Sequence, residues 1–229
     1  RFPIFTLKAF TAVEVEYFSR ISGLSIQDVL KALMEAGVTS LPGGGAEIFD
    51  PQVRGQICRT KISAEQWLEV METAHSLGLK TTATMLYGHI EGLEDRVAHL
   101  SRLRALQDKT GGFLCFIPLL FHPQNTRVIR KGMTSGYDDL RTIAISRLFL
   151  DNFPHIKAYW IMLGEKIAQI ALNFGADDLD GTILGEQIFH EAGAESPTGL
   201  SAEDLARLIR AAGKEPVQRD TFYQPLNKQ

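Results

Sequence analysis

Apolar positions alternate loosely from Phe2 to Ala12 (Ile4, Phe5, Leu7, Ala9, Phe10), a period of two that predicts a strand. Val13 to Ile21 reads as a helix. Ser25 offers an N-cap with Asp28 three residues on, and Gly37 a stop, so a second helix is predicted between them. A strand through Val38 and Leu41 leads into three glycines. Ser63-Ala64-Glu65-Gln66 is a capping box that opens a helix with Trp67, Val70, Met71 and Ala74 inward and Gly78 at its end. Leu79 to Gly88 is a strand, and Glu91 to Lys109 an amphipathic helix burying Leu93, Val97, Leu100, Leu103 and Leu106. Phe113 to Phe121 is a strand, followed by a polar loop through Gly136. A helix from Tyr137 to Phe153 is stopped by Pro154. Then come a strand (Ile156 to Leu163), a helix (Glu165 to Phe174) and a short strand (Ala176 to Thr182). Ser201 caps a last helix to Ala212, and a polar tail runs from Glu215 to Tyr223.

Strands alternating with amphipathic helices form βαβ units and a parallel sheet. Six such units exceed a small flavodoxin-like domain and fall short of a closed eight-stranded barrel. The expected architecture is therefore α/β, a (β/α)8-type barrel whose first two units are missing. It occupies residues 1–192, with a C-terminal helix and extended tail over 193–229. Arg1 in the place of a methionine agrees with a chain cut from something longer. The net charge of −3 argues against a dedicated nucleic-acid or anionic-membrane binder. The longest apolar run, Phe113 to Phe121, falls short of the roughly 18–20 residues that span a bilayer. No secretory leader is evident, so the cytoplasm is the expected location. Cys58 and Cys115 are the only cysteines, which excludes a disulfide scaffold and a thiolate metal cage built from this chain.

Ligands of parallel α/β folds bind beyond the carboxyl ends of the strands. Those ends carry Lys8 and Thr11, then Gly43-Gly44-Gly45 with Glu47, then Tyr87 and His89. His122 and Asn125, Trp160 and Met162, and Asp177, Asp178, Asp180 and Thr182 complete the series. Consecutive glycines let a ligand approach bare backbone N–H groups. The spacing matches neither GxGxxG nor GxxxxGK[ST], so no nucleotide fingerprint is present. Glu47 reads either as a cap or as a ligand carboxylate, and His89 as a cap or a ligand. The aspartates read as helix caps or metal ligands, with capping favoured because no histidine accompanies them. His75, His99 and His190 read as bystanders, and Arg96, Arg102 and Arg104 as a solvated face.

The phrases LPGGGAEIF, TATMLYGHIEGLEDRV, LDNFPHIKAYWIMLG and GADDLDGT, in that order and spanning nearly the whole chain, resemble one group of radical S-adenosylmethionine enzymes. The group contains the aminofutalosine synthases and cyclic dehypoxanthinylfutalosine synthases of menaquinone biosynthesis and the deazaflavin synthases of coenzyme F420. PLLFHPQNT, GADDLDGT and the ending RDTFY look most like the aminofutalosine synthases. The resemblance implies a [4Fe-4S] cluster that cleaves S-adenosylmethionine, an external electron donor, and 3-[(1-carboxyvinyl)oxy]benzoate as the acceptor of the 5′-deoxyadenosyl radical. The cyclase, the deazaflavin enzymes and a non-catalytic nucleoside-binding barrel remain as alternatives. By similarity, Gly43, Gly44, Gly45 and Glu47 contact the ribose or methionyl part of S-adenosylmethionine. Met85, Leu86 and Tyr87 lie near the adenine, with Pro118 and Leu119 behind it. Asp178 and Asp180 bind ribose hydroxyls, and His89 and His122 meet substrate carboxylates or handle a proton. The CxxxCxxC that holds the cluster is expected before residue 1, and no metal ligand is assigned within the chain.

Overall fold

The computed structural model describes residues 6–126, 128, 134–183, 185, 187–191, 193 and 196–226. Five strands lie in sequence order in one parallel sheet: β1 (Leu7–Lys8), β2 (Val38–Leu41), β3 (Lys80–Tyr87), β4 (Phe113–Leu120) and β5 (His155–Ile156). Helices α1 (Ala12–Ser22) and α2 (Ile26–Glu35) connect β1 to β2; α3 (Pro51–Ile57) and α4 (Ala64–Ser76) connect β2 to β3. They are followed by α5 (Leu93–Thr110) and α6 (Gly136–Phe149), then α7 (Trp160–Leu163) and α8 (Glu165–Ala171). The last are α9 (Ile188–Glu191) and α10 (Ala202–Ala211). The sixth expected strand survives as one parallel bridge, Lys157 to Asp178. Asp180, at φ +75°, turns the chain away there.

The capping chemistry explains where the helices begin. Ser25 accepts from the Asp28 N–H, Ser63 from Gln66 and Ser201 from Asp204. Such caps contribute about 1 kcal/mol each. Three boundaries differ from the periodicity. The expected Ile156 to Leu163 strand yields two strand residues, after which Trp160–Leu163 coils into α7, because a buried apolar run satisfies either period. Helix α6 ends at Phe149, four residues before Phe153. The first strand is Leu7–Lys8, and Phe2 to Phe5 lie outside the described residues. The inward stripe of α5 is His99, Leu100, Leu103, Leu106 and Gln107, whereas Leu93 and Val97 are exposed.

Parallel register fixes which side chains share a face, and this decides the site. Thr81 and Phe113 are partners, as are Met85 and Pro118, and Tyr87 and Leu120. Phe113 packs among the helices: its ring stacks on Trp67 (6.2 Å) and Phe153 (5.2 Å). Phe49 joins Trp67 (5.5 Å) to His99 (3.9 Å), completing an aromatic layer behind the sheet. His99 donates through Nε2 to the Thr84 carbonyl, and burial lowers its pKa to about 3, so it is neutral core. His75, bonded to Thr81 and Thr110, is also structural. Strand alternation then puts Thr82, Thr84, Leu86, Cys115 and Leu119 on the opposite, inner face. That face is concave: charges on β1 and beyond β5, at the two ends of the sheet order, influence one another electrostatically.

Candidate functional site

Beyond β2 the glycine-rich segment lies directly against β3. A Cβ on Gly43 would stand 2.6 Å from the Thr82 carbonyl oxygen and 2.9 Å from Ala83 Cα, so only glycine fits. Its N–H donates to Thr82 Oγ1 (2.9 Å), and its carbonyl accepts from Thr84 Oγ1 (2.8 Å). Gly45 has φ +84°, and a Cβ there would reach within 2.4 Å of Val13 Cγ2. Glu47 is also left-handed, at φ +47°, and its carbonyl accepts the Leu86 N–H at 2.8 Å. The turn is thus pinned to the strand at both ends.

The other side of the turn is held by a residue that the motifs did not single out. Arg54 on α3 is 6% exposed. Nη1 donates to the Ala46 and Ile48 carbonyls, and Nη2 to the Gly45 and Ile62 carbonyls. Trp67 Nε1 donates to the Gly44 carbonyl (3.1 Å). Asp50 aims α3 by capping the Val53 N–H (2.8 Å), with Pro51 in the first turn. A peptide carbonyl and the following N–H point in opposite directions. The N–H groups of Gly45 and Glu47 therefore point away from the helix layer. The usable signal was an arginine between the apolar Val53 and Ile57, just after an Asp-Pro helix start.

The remaining candidates divide by face. The Glu47 carboxylate pairs with Lys61 through Oε1 (2.5 Å) and is 16% exposed at the mouth. Met85 and Tyr87 are fully buried in the core and turn toward the helices, and Pro118 shares their face by register. They do not line the inner face as expected; Leu86 and Leu119, partners of each other, do. The Tyr87 hydroxyl donates to Asp139 (2.9 Å) beneath the Arg96 guanidinium, so Arg96 is not part of a solvated face. His89 is not an open acid–base group either. Its side chain is fully buried, with Nε2 bonded to the Leu86 carbonyl (3.0 Å) and Nδ1 to the Ile90 N–H (2.8 Å). Glu91 accepts the Gly88 and His89 N–H groups and the Arg96 guanidinium. Against burial, which raises it, the His89 side chain, the Gly88 N–H and the Arg96 charge bring the Glu91 pKa down to about 2. His122, half-buried beyond β4, bonds through Nε2 to the Met162 carbonyl (2.9 Å).

Asp178 and Asp180 meet two cations. Lys157 Nζ lies 2.7 Å from Asp180 and 3.7 Å from Asp178; Arg219, from the tail, binds Asp178 (2.5 Å) and lies 3.8 Å from Asp180. Asp177 pairs with Arg147 (3.0 Å) and His155 (2.8 Å). Ion pairing therefore accounts for the aspartates, and among the described residues no group of three His, Cys, Asp or Glu could hold a metal ion. Burial pushes the Cys115 thiol up to about 12, which keeps it protonated.

A parallel sheet in sequence order, with helices behind it and a glycine-rich turn beyond β2, defines an α/β barrel-type fold whose ligand end is the carboxyl end of the strands. Residues 5–103 match the model described as Radical SAM superfamily, and residues 110–229 match CofH/MqnC C-terminal region. The chain belongs to the CofH/MqnC family of radical SAM proteins. It is 54% identical to the aminodeoxyfutalosine synthase of Thermus thermophilus, covering 98% of this chain and 62% of that protein. The aminodeoxyfutalosine synthase of Streptomyces coelicolor is 47% identical (99% and 61% covered). The 5-amino-6-(D-ribitylamino)uracil–L-tyrosine 4-hydroxyphenyl transferase of Methanopyrus kandleri is 42% identical (98% and 62%). The chain thus spans a little over three-fifths of these relatives. Methylornithine synthase (PylB) superposes with a TM-score of 0.60 at 17% identity, over 90% of this chain and 63% of that one, which shows the shared fold.

Replacing Arg54 by Met should destabilise the chain by about 3–5 kcal/mol, because buried carbonyls lose their donors. Urea unfolding checks this, and a loss below about 1 kcal/mol would show that the turn holds without the guanidinium.

Proposed function

We propose that these residues belong to an aminodeoxyfutalosine synthase. The enzyme adds the 5′-deoxyadenosyl radical of S-adenosylmethionine to the enol-ether carbon of 3-[(1-carboxyvinyl)oxy]benzoate. Rearrangement onto the aromatic ring and loss of the carboxyl group then give aminofutalosine. The carrying observation is 54% identity over 98% of the chain to a protein of that name, against 42% to the tyrosine-dependent transferase. The glycine cradle against β3 supports it. Menaquinone biosynthesis, an external electron donor and the cytoplasm complete the reading; among the described residues no helix is long and apolar enough to cross a membrane.

In this family a [4Fe-4S] cluster supplies the electron that cleaves S-adenosylmethionine. This chain's residues do not fit such a cluster: Cys58 lies beyond α3 and Cys115 is buried in β4. No step at the metal follows from them. What the chain contributes is binding and orientation. The outward N–H groups of Gly45 and Glu47, with the second carboxylate oxygen of Glu47, receive the methionyl or ribose end. Leu86 and Leu119 offer the adenine an apolar surface in place of Met85, Tyr87 and Pro118. Asp180, more exposed than Asp178, takes the ribose hydroxyl role, and Asp178 anchors Arg219. His122 remains the candidate for a proton or carboxylate, whereas His89 shapes the turn after β3.

The full-length gene product, reconstituted anaerobically with iron and sulfide and given dithionite, S-adenosylmethionine and the enol-ether benzoate, should yield aminofutalosine by mass spectrometry. A product formed only from L-tyrosine and 5-amino-6-(D-ribitylamino)uracil would move it to the sibling activity. Glu47→Gln should weaken S-adenosylmethionine binding by about tenfold or more, since a charged hydrogen bond is lost, while stability changes by less than about 1 kcal/mol. Unchanged affinity by calorimetry would leave Glu47 only as the partner of Lys61.

A further inference from the structure

Among the described residues the inner face carries an unbalanced charge. Lys8, Lys157 and Arg219 are cations there, and Asp178 and Asp180 are the carboxylates, so three positive charges face two negative ones. The two aspartates are engaged by Lys157 and Arg219. Neither neighbour of acidic type supplies another charge: burial holds the Cys115 thiol and the Tyr223 phenol in their neutral forms. Asp177 is already shared between Arg147 and His155. Lys8 is thus the surplus cation, and it makes no ion pair among the described residues.

Its position is that of a ligand-binding group. Lys8 is the last residue of β1, at the carboxyl end, and its register partner is Ser40, three residues before Gly43. Thr11, just beyond β1, lies against Gly44, where an added Cβ would stand 2.9 Å from Thr11 Cγ2. Lys8 thus leaves the sheet at the strand end next to the glycine turn, and its ammonium lies within electrostatic reach of Lys157, Asp180, Cys115 and Arg219 across the inner face. Burial, then repulsion from Lys157, lower its pKa to about 8, with Asp180 and Cys115 opposing and Arg219 adding to the fall. A cation in this environment is stabilised by an incoming anion.

We infer that the Lys8 ammonium, at the carboxyl end of β1, binds a carboxylate of the substrate on the inner face. The inference rests on the proposed reading for the identity of the anion, a dianionic aryl enol ether with two carboxylates. A compact ammonium suits a carboxylate through one charge-assisted hydrogen bond, and binding neutralises the surplus charge of the face.

The test is calorimetric titration of the full-length gene product with 3-(1-carboxyethoxy)benzoate, a saturated dicarboxylate probe, and with its dimethyl ester. The wild type should bind the dianion and prefer it to the ester. Lys8→Met should weaken dianion binding by about tenfold or more while leaving ester and S-adenosylmethionine binding unchanged, and Lys8→Arg should recover part of the loss. Deprotonation of the free lysine should also weaken wild-type dianion binding by about tenfold between pH 7 and pH 9, a dependence absent in Lys8→Met. No binding by the wild type, equal binding by Lys8→Met, or an identical pH profile in both would overturn the inference. Lys8-dependent binding of the dianion without aminofutalosine formation would instead defeat the proposed reaction and leave the carboxylate site standing.

Discussion

The cradle depends on one buried guanidinium. Arg54 has no carboxylate among its hydrogen-bond partners; its charge is met by four peptide carbonyls drawn from both sides of α3. An ionised group in the interior is costly unless its donors are satisfied, and a planar fork with five N–H donors can serve several acceptors at once. Lysine has neither the fork nor the reach. By turning the carbonyls of Gly45 and Ala46 toward the helices, Arg54 also sets the direction of the intervening amides. The glycines then answer separate demands. Gly43 is required by the approach to β3, and Gly45 by a left-handed backbone beside Val13.

The same sheet separates two kinds of stabilisation. Its outer face is apolar and aromatic, with Phe113 between Trp67 and Phe153 and with Met85 and Tyr87 buried. Its inner face carries Thr82, Thr84, Cys115 and the ion network of Lys157, Asp178, Asp180 and Arg219. Against burial, which favours the neutral amine, Asp180 and Asp178 hold the Lys157 pKa above its ordinary value. The tail contributes Arg219 and stacks Tyr223 on His155 at 4.1 Å, so the end of the described chain closes part of the same interior. A one-residue shift of β3 would exchange the two faces.

Much of this was legible in the residues, and the rest was hidden for definite reasons. Ser25, Ser63 and Ser201 announced their helices because a cap is a local interaction. The long strands β3 and β4 were clear from their apolar length and bounding glycines. The face of each side chain was not, because a parallel strand covered on both sides has little alternation to read. Thr82 and Thr84, two residues apart and alternating with Ala83 and Met85, were the available clue that the inner face passes through these threonines. Helix α3 escaped notice because its seven residues are too few to establish a period. The ion network joins residues from β5, the turn beyond it and the tail, an association only the fold creates. In family terms, the phrases around the glycines pointed correctly to radical SAM proteins, while the individual roles of His89, Met85, Tyr87 and Pro118 did not follow from their place in those phrases.

Held from two sides by Arg54 and β3, the triple-glycine turn is prebuilt and rigid. Native-state hydrogen exchange resolved at single amides tests this directly. The Gly43 N–H, bonded to Thr82 Oγ1, and the Leu86 N–H, bonded to the Glu47 carbonyl, should exchange only with the global opening that releases β3 and β4. Rapid exchange of both, at a free energy well below that of neighbouring β3–β4 amides, would show a mobile loop in place of a prebuilt turn.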